Sequence, residues 1–386
     1  MQTVITRQKI PIKLWLDDLD PQAMEQAEHL AQLPWTVGHV AIMPDAHVGY
    51  GMPIGGVMAT RDVIIPNAVG VDIGCGVCAM RTDLRSIEKK DLKKILSLVR
   101  KNVPLGFQHH KKPQSDALMP PVQGSLPIVE REYARARKQL GTLGGGNHFI
   151  EIQQGDDGLV WLMVHSGSRN LGHQVASFYN KEAVRLNKEL NTPVPKSRQL
   201  AALPLDSRPG RSYLAEMEFC VQFALANRKQ IMAQVQEAMT EILGAVEFGE
   251  LINRSHNFAA LEEHGGRHVL VHRKGATRAF AGEWGLIPGS QGTASYIVRG
   301  KGNPESFCSC SHGAGRRLGR KQAIRSLDLD REIKNLDRIG VIHAIRRKKD
   351  LDEAPSAYKN IDQVMALQSD LVEIIVRLRP LAVIKG

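Results

Sequence analysis

The chain has 386 residues, 42% of them hydrophobic and 24% charged, which excludes a disordered chain and suits one large globular domain or two ordinary ones. With 51 Lys and Arg against 40 Asp and Glu, the formal charge is +11, which favours polyanionic partners. Five Cys are too few for a disulfide scaffold, MQTVITRQKIPIKLWLDDLD lacks a signal-peptide core and no apolar run approaches membrane-spanning length, so the expectation is a soluble cytoplasmic protein.

In chain order, Asp20 and Pro21 offer an N-cap and a first-turn residue for a helix over 20–31. Residues 49–56 (GYGMPIGG) are the first of several bunches of Gly; 70–76 (GVDIGCG), 141–146 (GTLGGG), 282–292 and 300–319 follow. Such bunching marks backbone that turns sharply or approaches a ligand closely, although turns alone account for some of it. A β-rich run occupies 62–65. Ser86 opens a helical pattern over 86–101, with Ile87, Leu92, Ile95, Leu96 and Val99 near a 3.6 period. The tracts 102–125, carrying Pro104, Pro113, Pro120 and Pro121, and 191–210 read as surface excursions. Further strand-like runs fall at 148–152, 159–164, 268–272 and 294–298, and the longest helical pattern covers 212–246. Helices and strands do not strictly alternate and no G-x-G-x-x-G opens a helix, which excludes a Rossmann fold. No tract separates two compositions. The expectation is a single α+β domain over 1–386.

The chemistry-bearing residues lie beside the Gly bunches. Asp72 and Cys75 are displayed from one Gly turn, where a carboxylate and a thiolate can reach one divalent cation. Cys78 makes a C-x-x-C with Cys75, but Cys308 and Cys310 are one residue apart and supply no second pair, so a Cys₄ zinc site is poorly supported. His148 and His165 sit at strand–turn boundaries, and His256 lies in NRSHNFA beside Asn257. Singly, each is an ordinary surface or core residue; with Asp72 and Cys75 they would suit two metals sharing a ligand. In FCSCSHGAGRRLGR, small residues flank His312, and Arg316, Arg317 and Arg320 follow as phosphate donors. An imidazole so placed can form a phosphoramidate, and a basic surface turn is an equal alternative from this segment alone. PGSQGTAS (288–295) offers N–H groups and hydroxyls suited to a base or phosphate, while Lys385, next to the C-terminus, is the sort of residue that is usually just solvated.

Taken in order, MPDAH (43–47), VGVDIGCG (69–76), GTLGGGNHFIE (141–151), HSGSR (165–169), SHNF (255–258), HRKGA (272–276), IPGS (287–290) and SFCSCSHGAGR (306–316) resemble the RtcB family of RNA ligases over nearly the whole chain. The resemblance implies an α+β fold with a β-sheet core and peripheral helices. It also implies a GTP-using, Mn²⁺-dependent ligase that joins 3′-phosphate or 2′,3′-cyclic phosphate ends to 5′-hydroxyl ends of RNA. By the same resemblance, Asp72, Cys75 and His148 hold one Mn²⁺, and Cys75, His165 and His256 hold a second. His312 is the residue guanylylated. Nucleotide contacts are implied for Asn147, His148, Phe149, Ile150, Glu151, His256, Asn257, Pro288, Gly289, Ser290, Gln291, Ser295, His312, Gly313, Ala314, Gly315 and Lys385. Phosphate contacts are implied for Arg169, Arg316 and Arg320.

The ligand types alone suit Zn²⁺ at least as well, so Mn²⁺ comes from the family and not from the donors. Tracts 102–140 and 186–215 carry none of the shared motifs, which leaves spliced tRNA, damaged RNA or a DNA end open as substrate, and an archease-like activator open as partner. Two rival readings are a dinuclear hydrolase of cyclic phosphodiesters and a noncatalytic RNA-binding protein held by phosphate contacts.

Overall fold

A computed structural model describes residues 1–386. Its frame is two sheets. The first runs in the order Thr3–Ile5, Ile12–Leu14, Thr36–His47, Ile54–Thr60, Arg267–Lys274, Asn257–His264. The second runs Ile252–Ser255, Gly76–Arg81, Val160–Ser166, Phe149–Gly155, Val372–Lys385, Ser295–Gly300, Trp284–Ile287. Neighbours are antiparallel throughout, except that Ile12–Leu14 pairs in parallel with Thr36–His47. A Rossmann fold needs a parallel sheet, so this α+β architecture is a different solution.

Helices cover the second sheet. The 36-residue helix Arg208–Leu243 buries Ile231, Met232, Val235 and Met239 against Ile95 and Val99 of Lys89–Asn102 and against the sheet residues Leu162 and Val164. Its N-terminal half packs Tyr213, Met217 and Phe223 with Leu171, Val175 and Tyr179 of Arg169–Glu189 and Val129 of Pro127–Gln139. A buried Leu or Phe side chain contributes about 1.5–3 kcal/mol, so the first cluster fixes the helix against the second sheet and the second ties it to its neighbouring helices and to Ala259 and Leu270 of the first sheet.

Several elements depart from the sequence reading. Ser86 does not cap its helix, which begins at Lys89 after Glu88 and has no side-chain cap. Helices Pro127–Gln139 and Arg169–Glu189 and strands Thr36–His47 and Val372–Lys385 go beyond the predicted set. Of the two supposed surface tracts, 102–125 is largely exposed, but 191–210 sends Leu200, Ala202 and Leu203 into the core, and Leu203–Pro204 pairs with Val63–Ile64. No helix is long and apolar enough to cross a membrane.

Candidate active site

Antiparallel register gathers the candidate ligands at one end of the second sheet. Gly76, directly after Cys75, lies opposite Ser166 on one side and Ser255 on the other. His165 lies opposite Phe149, directly after His148. The chain leaves the second sheet at Ser255 and enters the first at Asn257, so His256 is the crossing point between them. Four residues scattered in sequence thus reach one corner because four neighbouring strands begin or end there.

The donor atoms of Cys75, His148 and His165 lie within 4.8 Å of one another. Cys75 Sγ is 3.5 Å from His148 Nε2 and 3.3 Å from His165 Nε2. Asp72 Oδ2 joins at 3.2 Å from His148 Nε2. The His256 ring centroid is 5.2 Å from that of His165 and 4.7 Å from that of His312. All five expected ligands therefore meet, with Cys75, His148 and His165 as the tight core.

The donors fit a transition-metal ion. His148 Nδ1 donates to the Leu143 carbonyl at 2.9 Å, an oxygen that can only accept, so Nε2 keeps its lone pair toward Cys75. Burial, then neighbouring imidazoles, hold the His165 and His256 pKa values well down and keep those rings neutral. Burial, reinforced by Asp72, pushes the Cys75 thiol well up, so a thiolate here calls for a cation beside it.

Arg228, fully buried on the long helix, braces the same corner. Its Nη1 donates to Gly74 O and Ser166 O, both at 2.9 Å, its Nε to Asn253 Oδ1 at 2.7 Å and its Nη2 to Ser255 Oγ at 3.1 Å. Each of Cys75, His165 and His256 is thus adjacent in sequence to a group held by one guanidinium.

His312 approaches from the other side, after the short strand Ser309–Ser311. Its Nδ1 donates to Asp45 Oδ2 at 2.6 Å, and its backbone N–H donates to the same oxygen at 3.1 Å. Asp45 is fully buried, within the register irregularity between Ile42 and His47, where a bulge re-aims side chains. Burial alone would raise its pKa, but the facing His312 holds it below the carboxylate range. An ionised Asp45 fixes the His312 proton on Nδ1 and presents Nε2 as a lone pair. At Gly315 (φ +73°) a Cβ would collide with the Asp45 backbone, so glycine is what lets this loop lie on the strand.

His312, Asn147 and Ile54 form the partition between two spaces. On one side is a cavity of about 250 Å³ with Phe149, Glu151, the expected metal ligand His165, Pro288–Gln291, Gly313–Arg316, Tyr358 and Lys385 on its walls. On the other is a cleft of about 710 Å³ that includes Asp72, Cys75, His256, Asn257 and Lys274.

Not every expected nucleotide contact faces the small cavity. Ile150 packs into the core, and Ser295 is buried, accepting from Gly289 N–H and Gln153. Gln291 borders the cavity, but its amide is engaged with Glu353 O and Ala344 N–H. Asn257 belongs to the cleft and ties Asp72 O to Gly275 N–H. Lys385 is not merely solvated: it pairs with Glu353 Oε2 at 2.8 Å and donates to Asn147 O at 3.3 Å. Arg316 bonds Glu353, Asp352 O and the Tyr358 hydroxyl, so it braces the wall. Arg320 reaches Asp352 and Glu353, and Arg169 lies 3.4 Å from His148 Nδ1.

The sequence reading assigned no role to Asp45, Arg228, Glu353 or Tyr358. Asp45 alone had a signal, since it stands in MPDAH beside a motif histidine.

Burial raises the Glu151 pKa to about 7, against a smaller lowering by Lys385. The folded chain therefore holds a proton that the unfolded chain releases between about pH 4.5 and pH 7, and folding stability falls as pH rises through that window. Glu151→Gln removes this loss. Its stability gain over the parent is expected to be about 2 kcal/mol larger near pH 8 than near pH 5. Urea melts at the two pH values measure it, and a pH-independent gain would contradict the assignment.

A mixed α+β fold that brings a thiol, imidazoles and a carboxylate to one buried corner, beside a carboxylate-oriented histidine, defines a candidate metal-binding protein. The family model described as "tRNA-splicing ligase RtcB" matches residues 26–124 and 123–386. The chain is 38% identical to the "RNA-splicing ligase RtcB" of Escherichia coli strain K12, covering 99% of both chains. It is 35% identical to the "tRNA-splicing ligase RtcB" of Thermococcus kodakarensis, covering 98% of this chain and 95% of that one. With that of Archaeoglobus fulgidus it shares 36%, over 95% and 92%. The chain belongs to the RtcB family.

Proposed function

We propose that this protein is an RNA ligase that joins 3′-phosphate or 2′,3′-cyclic phosphate ends to 5′-hydroxyl ends, using GTP and a His312–GMP intermediate. The observation that carries the reading is the position of His312: its orienting carboxylate lies behind it, and its ring stands between a small cavity bordered by His165 and a cleft bordered by Asp72, Cys75 and His256. Residues 1–386 act as one catalytic unit in this reading, because Asp45 and His312 come from outside the second sheet and Cys75, His148 and His165 from its end.

The small cavity would take guanosine. Phe149 and Tyr358 offer aromatic faces, while the Glu151 carboxyl and Lys385 ammonium offer one acceptor and one donor to the base edge. Asp72, Cys75 and His148 would hold one Mn²⁺ and Cys75, His165 and His256 the other. When bound, these ions supply charge neutralisation for the triphosphate.

His312 Nε2 attacks the α-phosphorus of GTP. The N–P bond forms, the bond to the bridging oxygen breaks and pyrophosphate leaves. Asp45 stabilises the positive charge that develops on the ring. An oxygen of the RNA 3′-phosphate then takes the guanylyl group, returning the electron pair to His312 Nε2; a 2′,3′-cyclic end first adds water at phosphorus, breaking the P–O2′ bond to give this 3′-phosphate and a 2′-hydroxyl. Finally the 5′-hydroxyl attacks the 3′-phosphorus, its proton is lost and GMP departs, leaving a phosphodiester. Arg169, beside the corner, would contact RNA phosphate, with Arg320 a second candidate at the cavity rim.

The test is a ligation assay with RNA strands ending in 3′-phosphate or 2′,3′-cyclic phosphate, each offered with a 5′-hydroxyl strand. Sealing with GTP and Mn²⁺ is expected. Cleavage of cyclic phosphate without sealing would support the hydrolase instead.

Asp45→Asn should lower guanylylation by about 100-fold, because the amide lets the proton move to Nε2 and no longer stabilises the charged ring. Metal content should stay at the parent level. Parent-like labelling across pH would contradict the orienting role.

A further inference from the structure

Phe107 is the most exposed large hydrophobic side chain of the protein, with a relative accessibility of 101%. It contributes nothing to the core, yet its loop is firmly placed. Gly106 N–H donates to Gly144 O at 2.9 Å, Arg169 Nη2 donates to Gly106 O at 3.4 Å and His110 N–H donates to Lys138 O at 3.0 Å. The ring thus projects one residue beyond a backbone contact with the Gly144–Gly146 turn, which runs directly into Asn147 and His148. Around it, Lys111, Lys112, Arg135 and Lys138 are exposed, and none of them forms an ion pair. Arg135, Arg169 and Lys138 also stand close enough to His109 to add to the effect of partial burial in lowering its pKa. The carboxylates on this face are already engaged: Asp116 pairs with Arg137, and Glu132 with Arg131 and Asn170.

We propose that Phe107 is a stacking platform for a base of single-stranded RNA, and that Lys111, Lys112, Arg135 and Lys138 track its backbone as the strand runs past Arg169 into the metal-ligand corner. A bare aromatic ring among unpaired cations is the combination that holds single strands irrespective of sequence: the ring takes a base face and the cations take phosphates. A helical duplex keeps its base faces stacked inside and cannot use such a ring, so the surface selects unpaired ends. This assignment rests on the RNA-ligase reading and adds where the strand lies.

The test uses the full-length protein and a short fluorescent single-stranded RNA ending in 3′-phosphate. Phe107→Ala should weaken binding about tenfold, the usual cost of losing one base–aromatic stack. GTP labelling of His312 should be unchanged, because that step involves no RNA. Phe107→Trp should keep parent affinity, with its emission quenched by RNA. The Lys111→Ala, Lys112→Ala double variant should flatten the salt dependence by about two phosphate contacts. Because the ring packs on nothing, these variants should melt with the parent. RNA binding by the parent with unchanged affinity in Phe107→Ala would overturn the platform alone and leave a protein partner as the occupant of the loop. If the parent labels with GTP but binds no RNA, both the platform and the ligase reading fall.

Discussion

Replacing His312 by alanine is expected to abolish GMP labelling and to reduce RNA sealing by at least about 10⁴-fold, with metal content unchanged. The size follows from what the ring does alone. No other side chain in the partition between the cavity and the cleft offers a nucleophilic nitrogen: the Asn147 amide lone pair is delocalised and Ile54 is apolar. Without a covalent intermediate, the RNA phosphate would have to displace pyrophosphate directly, and Asp45 would be left buried without the imidazole it faces. The four expected ligands besides His256 lie on strand ends and turns that His312 does not support, and His256 touches it only edge-on. Activity and metal loading should therefore separate. Normal labelling of the alanine variant would remove His312 from the chemistry.

Cys75→Ala is expected to lose sealing by about 10³-fold and to lower metal occupancy together with it. Cys75 Sγ lies within reach of both His148 and His165, at 3.5 and 3.3 Å, so its loss opens both proposed ligand sets at once. An outer-shell partner of a metal ligand commonly contributes 10–100-fold, and a shared ligand should exceed that. His148→Ala, which opens one set, should retain more metal than Cys75→Ala. Full activity of Cys75→Ala at limiting Mn²⁺ would contradict the bridge. Arg228 explains why the thiol is held so well: the carbonyl it fixes at Gly74 directly precedes Cys75.

Asp72, Cys75, His148, His165 and His256 were legible as a set of residue types that would suit two metals sharing a ligand, and the ordered motifs named the family. Their meeting point was not, because it depends on long-range register such as Val77 opposite His165 and Gly76 opposite Ser255. Asp45 and Glu353 went unread for a related reason. Each is a buried carboxylate explained by partners far away in sequence, His312 for one and Lys385, Arg316 and Arg320 for the other. The strand Val372–Lys385 contains Pro380, a residue a central strand disfavours, and the chain accommodates it at a shift in register beside Ala382. Thr36–His47 likewise carries Pro44 within the register irregularity between Ile42 and His47. The helix Arg169–Glu189 carries Gly172, an unfavourable helix residue kept where a Cβ would strike Ser168.

The most direct measurement is to incubate the protein with labelled GTP and Mn²⁺, digest it and map the modified peptide. One GMP on His312, released by acid and stable to base as a phosphoramidate is, is the predicted result. A GMP adduct on lysine, or none on a protein that still seals RNA, would contradict the account.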